Sequence, residues 1–255
     1  MDKIIYKNVS KSFDDLIVLD DFSLNIKKGD SVVIIGGSGT GKSVSLKCLL
    51  GLLTPDNGSI KVDGQETVGI ISEYRNKINA NIGMLFQNGA LFDSMTVIEN
   101  VCFGLKSGKG ISDRKSRKIG IECLDKVGLD KSILDKYPSD LSGGMRKRVA
   151  LARAIATNPD IILFDEPTTG LDPITASTID NLIVDTVRKM GVTTITVTHD
   201  LASVRRIADR VALLYKGKIE WIGTVQEMDE TDNPFVKQFI NGSSKGPIHW
   251  ARGDK

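Results

Sequence analysis

The sequence predicts an α/β fold built around a mostly parallel sheet. Short β-rich runs alternate with longer helical runs, and several of the short runs are continuously apolar, as strands buried on both faces are. A long middle segment, residues 88–158, has little strand signal and much helical pattern. That segment indicates a helical subdomain inserted between two strands of the core.

The first core elements lie in the N-terminal part of the chain. The run SVVIIGG at residues 31–37 predicts a buried strand that ends in glycines, and residues 42–53 predict the helix that follows it. The sequence TPDNGS then supplies turn formers that stop the helix. Residues 59–64 predict a short strand and turn.

The remaining core elements follow the helical segment. Residues 160–167 and 192–200 predict buried strands, separated by a helix at about 173–190. Residues 210–223 predict a hairpin that turns at a Lys-Gly pair. We therefore expect one domain over residues 1–240.

The last residues, 241–255, are polar and contain Gly, Ser and Pro, which predicts a C-terminal tail. Ile248 and Trp250 are apolar exceptions within it. Because burial of apolar side chains lowers the free energy, we expect both to dock on a protein surface, with the partner ATPase subunit or an accessory chain as the first choice.

Composition limits the possible functions. Among 255 residues, 34 are basic and 32 acidic, a net charge of +2 that gives no indication of nucleic-acid binding. No apolar run approaches the roughly 20 residues that cross a bilayer, so we expect a membrane to be reached through a partner. The cysteines Cys48, Cys102 and Cys123 are odd in number and lack metal-ligand spacing, which predicts reduced thiols in a cytosol.

A phosphate-binding loop follows the first buried strand. The run GGSGTGKS fits the pattern G-x-x-x-x-G-K-[ST], in which glycines let backbone N–H groups surround phosphate oxygens at a helix N-terminus. Lys42 would reach the outer phosphates during catalysis, and the Ser43 hydroxyl would bind Mg²⁺. The predicted nucleotide-binding residues here are Gly36, Gly37, Ser38, Gly39, Thr40, Gly41, Lys42 and Ser43.

An acidic pair ends the apolar run IILFDE at residues 161–166. We expect Asp165 to lie opposite Ser43 and to hold hydrated Mg²⁺. Glu166 follows directly and could polarise a water molecule for in-line attack on a phosphate.

Further motifs stand in a fixed order around this loop. They are Phe13 in VSKSF, Gln87 in MLFQNGALF, LSGGM at 141–145, GLD at 170–172 and His199 in VTHD. Together they resemble the ATP-binding subunits of ABC transporters over nearly the whole chain. The resemblance implies an ATPase with ATP and Mg²⁺ as cofactors. It also implies a RecA-like P-loop NTPase core with an antiparallel β-subdomain and the inserted helical subdomain.

The resemblance implies a role for each motif. Phe13 lies against adenine, Gln87 binds Mg²⁺ and senses the γ-phosphate, and His199 donates to the γ-phosphate and helps to hold the attacking water. In the family two subunits face head to tail, so the signature of one completes the ATP site of the other. Asp172 crosses to the partner's phosphate loop, and the signature residues that bind the γ-phosphate are Ser142, Gly143 and Gly144.

The helical run behind the signature carries charge. Met145 stands where the family usually has glutamine. Four basic side chains in this run are predicted to form a solvated or interfacial face: Arg146, Lys147, Arg148 and Arg153.

Within the family the chain resembles the ATPases of Mla and related MCE-type lipid transport systems. The segments that carry this resemblance are residues 84–101, 141–156, 165–174 and 235–248. It implies a homodimer bound to two integral-membrane permease subunits, an MCE-type lipid-binding partner, and phospholipid transport at the cytoplasmic face of a bacterial inner membrane. The predicted permease-docking residues are Phe92, Met95 and Phe103.

Three other classes remain open. One is the ATPase of an importer for a polar solute such as an amino acid. The second is a soluble ABC protein of translation or DNA repair, which typically has two ATPase halves or a long coiled-coil insertion. The third is a P-loop kinase, for which the LSGG motif and the histidine would have no purpose.

Overall fold

The computed structural model describes residues 1–249, so Trp250 lies outside the described residues. The chain divides into two compact units. Unit 1 comprises Met1–Ile70 and Val197–Lys255, and unit 2 comprises Ile71–Thr196. Within the described part of the chain, no helix is both long and apolar enough to cross a membrane.

The strands are β1 (Asp2–Phe13), β2 (Leu16–Lys27), β3 (Ser31–Ile35), β4 (Asn57–Val62), β5 (Gln65–Glu66), β6 (Ile82–Leu85), β7 (Ile161–Asp165), β8 (Thr193–Thr198), β9 (Arg210–Tyr215) and β10 (Lys218–Thr224). The α-helices are α1 (Lys42–Leu50), α2 (Ser72–Asn79), α3 (Val97–Phe103), α4 (Asp113–Lys126), α5 (Gly143–Ala156), α6 (Pro173–Met190), α7 (Leu201–Ile207), α8 (Val225–Glu230) and α9 (Pro234–Asn241).

Unit 1 contains two groups of strands. The antiparallel group has the order β2-β1-β4-β5, and its long pair β1–β2 is closed by an edge-to-face contact of Tyr6 and Phe22. In the other group β3 pairs parallel with β9, which pairs antiparallel with β10. All residues of β3 are buried, as in a strand covered on both faces. β3 therefore delivers the phosphate loop and α1 from the core.

Unit 2 combines parallel strands with helices. β6 pairs parallel with β7, and β8 is the next neighbour of β7. Helices α3, α4 and α5 pack on one another. Gly120 of α4 permits the close approach to α3, because a Cβ there would lie 2.8 Å from the Cys102 sulfur. Every residue from 88 to 158 is described, and none lies in a strand.

Most predicted elements are confirmed, and α6 has the predicted bounds. The helix predicted at 42–53 ends earlier, at Leu50, because Gly51 turns left-handed (φ 71°) and donates its N–H to the Cys48 carbonyl at 3.1 Å. Asn57 and Gly58, predicted as turn formers, begin β4 instead, because Asn57 pairs with Ser10 of β1.

The expectation that Ile248 docks on a partner subunit is wrong, because this side chain is buried in its own chain. The Gln238 side chain accepts from the Ile248 N–H at 2.6 Å and donates to its carbonyl at 3.0 Å. The Tyr215 hydroxyl adds bonds to Pro247 and His249. Residues 243–249 are thus held on unit 1 by side chains of α9 and β9.

Candidate functional site

The predicted site residues fall into two sets, one in each unit. In unit 1 the phosphate loop connects β3 to α1. A Cβ on Gly36 would lie 2.6 Å from the Leu214 carbonyl oxygen, so only glycine fits there. Gly41 caps α1 in a left-handed conformation (φ 101°) and brings no capping side chain. The loop therefore leads into a helix N-terminus without a side-chain cap, where the helix dipole favours an anion.

Lys42 lies over the centre of this loop. Its ammonium donates to the carbonyls of Gly36 at 2.8 Å and Gly37 at 2.7 Å, and the Thr40 hydroxyl donates to Gly37 at 2.9 Å. The side chain is buried. Its charge is therefore concentrated inside the ring of backbone groups that would surround phosphates.

Phe13 ends β1 with 41% of its surface exposed, as a platform for a flat ligand requires. The Lys11 ammonium lies 5.6 Å from its ring centroid and donates to the Asp56 carboxylate at 2.7 Å. Asp56 also accepts from the Ser12 N–H at 2.6 Å. These bonds lower the pKa of Asp56 and fix the backbone that carries Phe13.

His199 follows β8 directly and is exposed. The next residue, Asp200, caps α7 by accepting from the Ala202 N–H at 2.8 Å and the Ser203 hydroxyl at 3.0 Å. His199 is therefore held between a strand end and a helix cap, which fixes its backbone.

In unit 2 the carboxylates of Asp165 and Glu166 stand at the end of β7, and both residues are more than nine-tenths buried. Glu166 has a left-handed backbone (φ 48°), a conformation that costs a non-glycine residue about 1–3 kcal/mol. Its carboxylate accepts from the Thr169 hydroxyl at 2.9 Å, and its carbonyl accepts from the Thr169 N–H at 3.3 Å. Thr169 thus orients the predicted general base.

Lys147 joins the backbone of Glu166 to that of Gln87. Its ammonium donates to the Gln87 carbonyl and, at 3.2 Å, to the Glu166 carbonyl, while the Gln87 side chain itself is exposed. Burial lowers the pKa of Lys147 to about 8, although Glu166 and Asp165 act to raise it. This contact was not predicted from the sequence.

The signature begins α5. The Ser142 hydroxyl caps the helix by accepting from the Met145 N–H at 3.3 Å. The N–H groups of Gly143 and Gly144 are in the first turn, where no intrahelical acceptor exists. Asp172 caps α6, and bonds from Thr175 and Ile174 hold the pKa of its carboxyl below the ordinary value. Both motifs are thus ordered within this chain.

The prediction that the basic residues of α5 form a solvated or interfacial face agrees with Arg146, which is exposed, and is wrong for Lys147. Lys147 is buried, and the others bind backbone carbonyls of nearby loops. Arg153 donates to Gly89 and Ala90 at 2.6 Å each, and burial lowers its pKa. The remaining acceptors are Leu141 for Arg146 and Val127 and Gly128 for Arg148. Through these bonds to backbone carbonyls, the arginines of α5 hold neighbouring segments of the chain in place.

The segment after Gln87 carries an exposed aromatic pair. Phe92 and Phe103 are 41% and 37% exposed, and their ring centroids lie 4.7 Å apart. They border an open groove of about 420 Å³ that β6, α3 and α5 also line. Fully buried Asn100 closes the loop below them with bonds to Phe92, Met95 and Thr96. An asparagine inside an apolar helical pattern was the signal for this role.

The chain matches a known protein family and a solved structure. The family described as ABC transporter matches residues 19–169. A dimeric ATP-binding cassette, MJ0796, solved in a post-hydrolysis state with ADP and phosphate, superposes with a TM-score of 0.80 at 34% identity. The alignment covers 87% of this chain and 98% of that one. The fold is therefore that of a P-loop ATPase cassette, as predicted.

Three relatives are similar to this chain over more than nine-tenths of its length. The chloroplastic protein TRIGALACTOSYLDIACYLGLYCEROL 3 of Arabidopsis thaliana is 40% identical, covering 96% of this chain and 75% of the relative. The intermembrane phospholipid transport ATP-binding protein MlaF of Haemophilus influenzae is 37% identical over 96% and 92%. The methionine import ATP-binding protein MetN of Carboxydothermus hydrogenoformans is 40% identical over 93% and 71%.

The chain belongs to the ABC transporter family. It is an ATP-binding subunit and an ATPase, and its predicted likeness to Mla-type ATPases is confirmed by the MlaF match.

Proposed function

We propose that this ATPase forms a homodimer around two ATP molecules and drives a permease that transports phospholipid at the cytoplasmic face of a bacterial inner membrane. An MCE-type lipid-binding protein completes the system. The observation that carries the proposal is the exposed Phe92–Phe103 pair beside the groove, on the segment that the Mla-type resemblance covers. Such a patch favours an apolar element of a membrane protein.

In this proposal each predicted site residue has the role that the family resemblance implies. Phe13 supports adenine, and the loop from Gly36 to Ser43 binds the phosphates, with Lys42 neutralising charge on the outer two. Ser43, Asp165 and Gln87 offer hard oxygen donors, which suit Mg²⁺ together with phosphate and water oxygens. Among residues 1–249 no group of three or more His, Cys, Asp or Glu side chains could hold a metal ion, so phosphate and water oxygens would supply the other ligands. Bound Mg²⁺ would neutralise charge between the β- and γ-phosphates.

Glu166 is the proposed general base. Held by Thr169, its carboxylate accepts a proton from the water that attacks the γ-phosphate in line, which yields ADP and phosphate. His199 donates to the γ-phosphate. From the partner subunit, Ser142 and the first N–H groups of α5 bind the same phosphate, and Asp172 meets the phosphate loop.

The ATP-site roles are tested by two variants. Lys42→Ala should abolish hydrolysis and weaken ATP binding without unfolding the chain. Glu166→Gln removes the basic carboxylate but keeps its size, so turnover should fall roughly 10²–10⁴-fold while ATP is retained. Size-exclusion chromatography of Glu166→Gln with ATP and Mg²⁺ should show a dimer. Near wild-type turnover in either variant would refute the corresponding role.

The docking surface is tested in the permease complex. Phe92→Ala with Phe103→Ala should lower the permease-stimulated ATPase rate and co-purification of the permease, while the rate of the isolated ATPase stays unchanged. Tyr74→Ala is the matched control, because it removes an aromatic that is 59% exposed outside the groove. Equal co-purification of the double variant and the control would refute this surface.

The lipid substrate needs a separate experiment. Native mass spectrometry of the complex in mild detergent should show bound phospholipid, and transport should need no soluble solute-binding protein. The alternative is an importer for a polar solute, which the methionine-import relative favours. A lipid-free complex whose ATPase responds only to a solute-loaded binding protein would establish that alternative.

A further inference from the structure

Lys147 is a buried cation that the proposed ATP chemistry leaves without a role. It lies in α5 one turn after the signature glycines, and only 5% of the residue is exposed. An ammonium removed from water is unfavourable unless acceptors and opposite charge surround it. Lys147 finds these in two backbone carbonyls and the nearby carboxylates of Asp165 and Glu166.

The two carbonyls belong to parts of the site that the chain separates by 79 residues. One is the carbonyl of Gln87, which begins the segment leading to the Phe92–Phe103 surface. The other is the carbonyl of Glu166, whose left-handed backbone persists only where its surroundings hold it. A single ammonium therefore fixes the spacing between the two.

We propose that Lys147 is a positioning residue that couples the segment after Gln87 to the orientation of the Glu166 carboxylate. A displacement of that segment moves the shared ammonium, which moves the Glu166 peptide and its side chain with it. The signature glycines share the same helix, so one movement of α5 also reaches the surface proposed to bind the partner's ATP. This inference rests on the proposed roles of Glu166 and Gln87.

Arg153 provides a comparison within the same helix. It grips the same segment two turns later, through the carbonyls of Gly89 and Ala90, and has no bond to Glu166 among those described. Loss of Arg153 should loosen the segment without moving the base. Loss of Lys147 should affect both.

The test uses Lys147→Met, which keeps the length and apolar volume of the side chain and removes its donors. We expect kcat to fall at least tenfold, with KM for ATP changed less than about twofold, and we expect stimulation by the permease to disappear. Lys147→Gln, whose amide can still donate one bond, should recover part of kcat. Arg153→Gln should retain the kcat of the isolated ATPase. A purely structural role would lower the melting temperature without this split.

Two results would overturn the inference. The first is a folded Lys147→Met enzyme with kcat within twofold of wild type and normal stimulation. If that variant does not fold, a Lys147→Gln enzyme with unchanged kcat and stimulation does the same. Glu166→Gln separates the two proposals: full turnover there refutes the proposed base, whereas loss there with normal Lys147 variants refutes only the coupling.

Discussion

We expect Asn100 to determine whether residues 92–96 are ordered, and Asn100→Leu tests this directly. The wild-type amide accepts from the Phe92 N–H at 2.7 Å and donates to the carbonyls of Phe92, Met95 and Thr96 at 3.0–3.1 Å. Leucine has a similar size and makes none of these bonds. The amide has two N–H hydrogens, so the three carbonyls share two full bonds. With the bond from Phe92, at about 1 kcal/mol each, the variant should lose about 3 kcal/mol of local stability.

The loss should appear as local opening, because the loop can leave its site without unfolding unit 2. At 1.4 kcal/mol per factor of ten, about 3 kcal/mol corresponds to roughly 10²-fold faster amide exchange at Phe92 and Met95. Hydrogen exchange followed by mass spectrometry or NMR measures this. Ser94→Ala, in the exposed part of the same loop, is the control. Exchange that changes less than tenfold in Asn100→Leu would refute the reasoning.

Three other predictions follow. Gly58→Ala should lower the unfolding free energy by about 2 kcal/mol or more, because φ is 93° and a Cβ would lie 2.3 Å from a carbonyl oxygen of β1. The control Gly64→Ala, at a glycine with open space around it, should cost less. Thermal melts that shift equally in both variants would contradict this prediction. Gln238→Ala removes three hydrogen bonds to residues 243–249, so hydrogen exchange of the Ile248 amide should become about a hundredfold faster. Unchanged exchange would show that contacts other than those of Gln238 hold this segment. Burial raises the pKa of Cys48 to about 11, and the other two cysteines are also buried. Ellman's reagent at pH 8 should therefore label no cysteine of the native protein within minutes and three cysteines after denaturation. Rapid labelling of the native protein would contradict this prediction.

Local pattern predicted the core strands because β3 and β7 are apolar at every position or nearly so. It did not reveal β1 and β2, because bulges interrupt their register and left-handed residues such as Asn8 and Asp21 break the alternation of buried and exposed side chains. Strand pairing over such irregularities depends on partners distant in sequence, which a single run does not show.

The site shows the same division. Residues of the phosphate loop follow from spacing alone, because backbone chemistry dictates glycine at fixed positions. For Lys147 a solvated or interfacial position is predicted, whereas the structure buries it. Its spacing of three and four residues from buried Ala150 and Leu151 places it on the inner face of α5, and that periodicity was the available signal.

The hydrogen bonds from α5 to neighbouring segments have a consequence for protein engineering. Four basic side chains of α5 donate to backbone carbonyls outside the helix: Arg146, Lys147, Arg148 and Arg153. The segment after Gln87, if replaced by that of a relative, would therefore adopt the relative's conformation only if the relative's α5 were transplanted with it. Helix and loop form one exchangeable module, and chimeras that cut between them should recombine poorly.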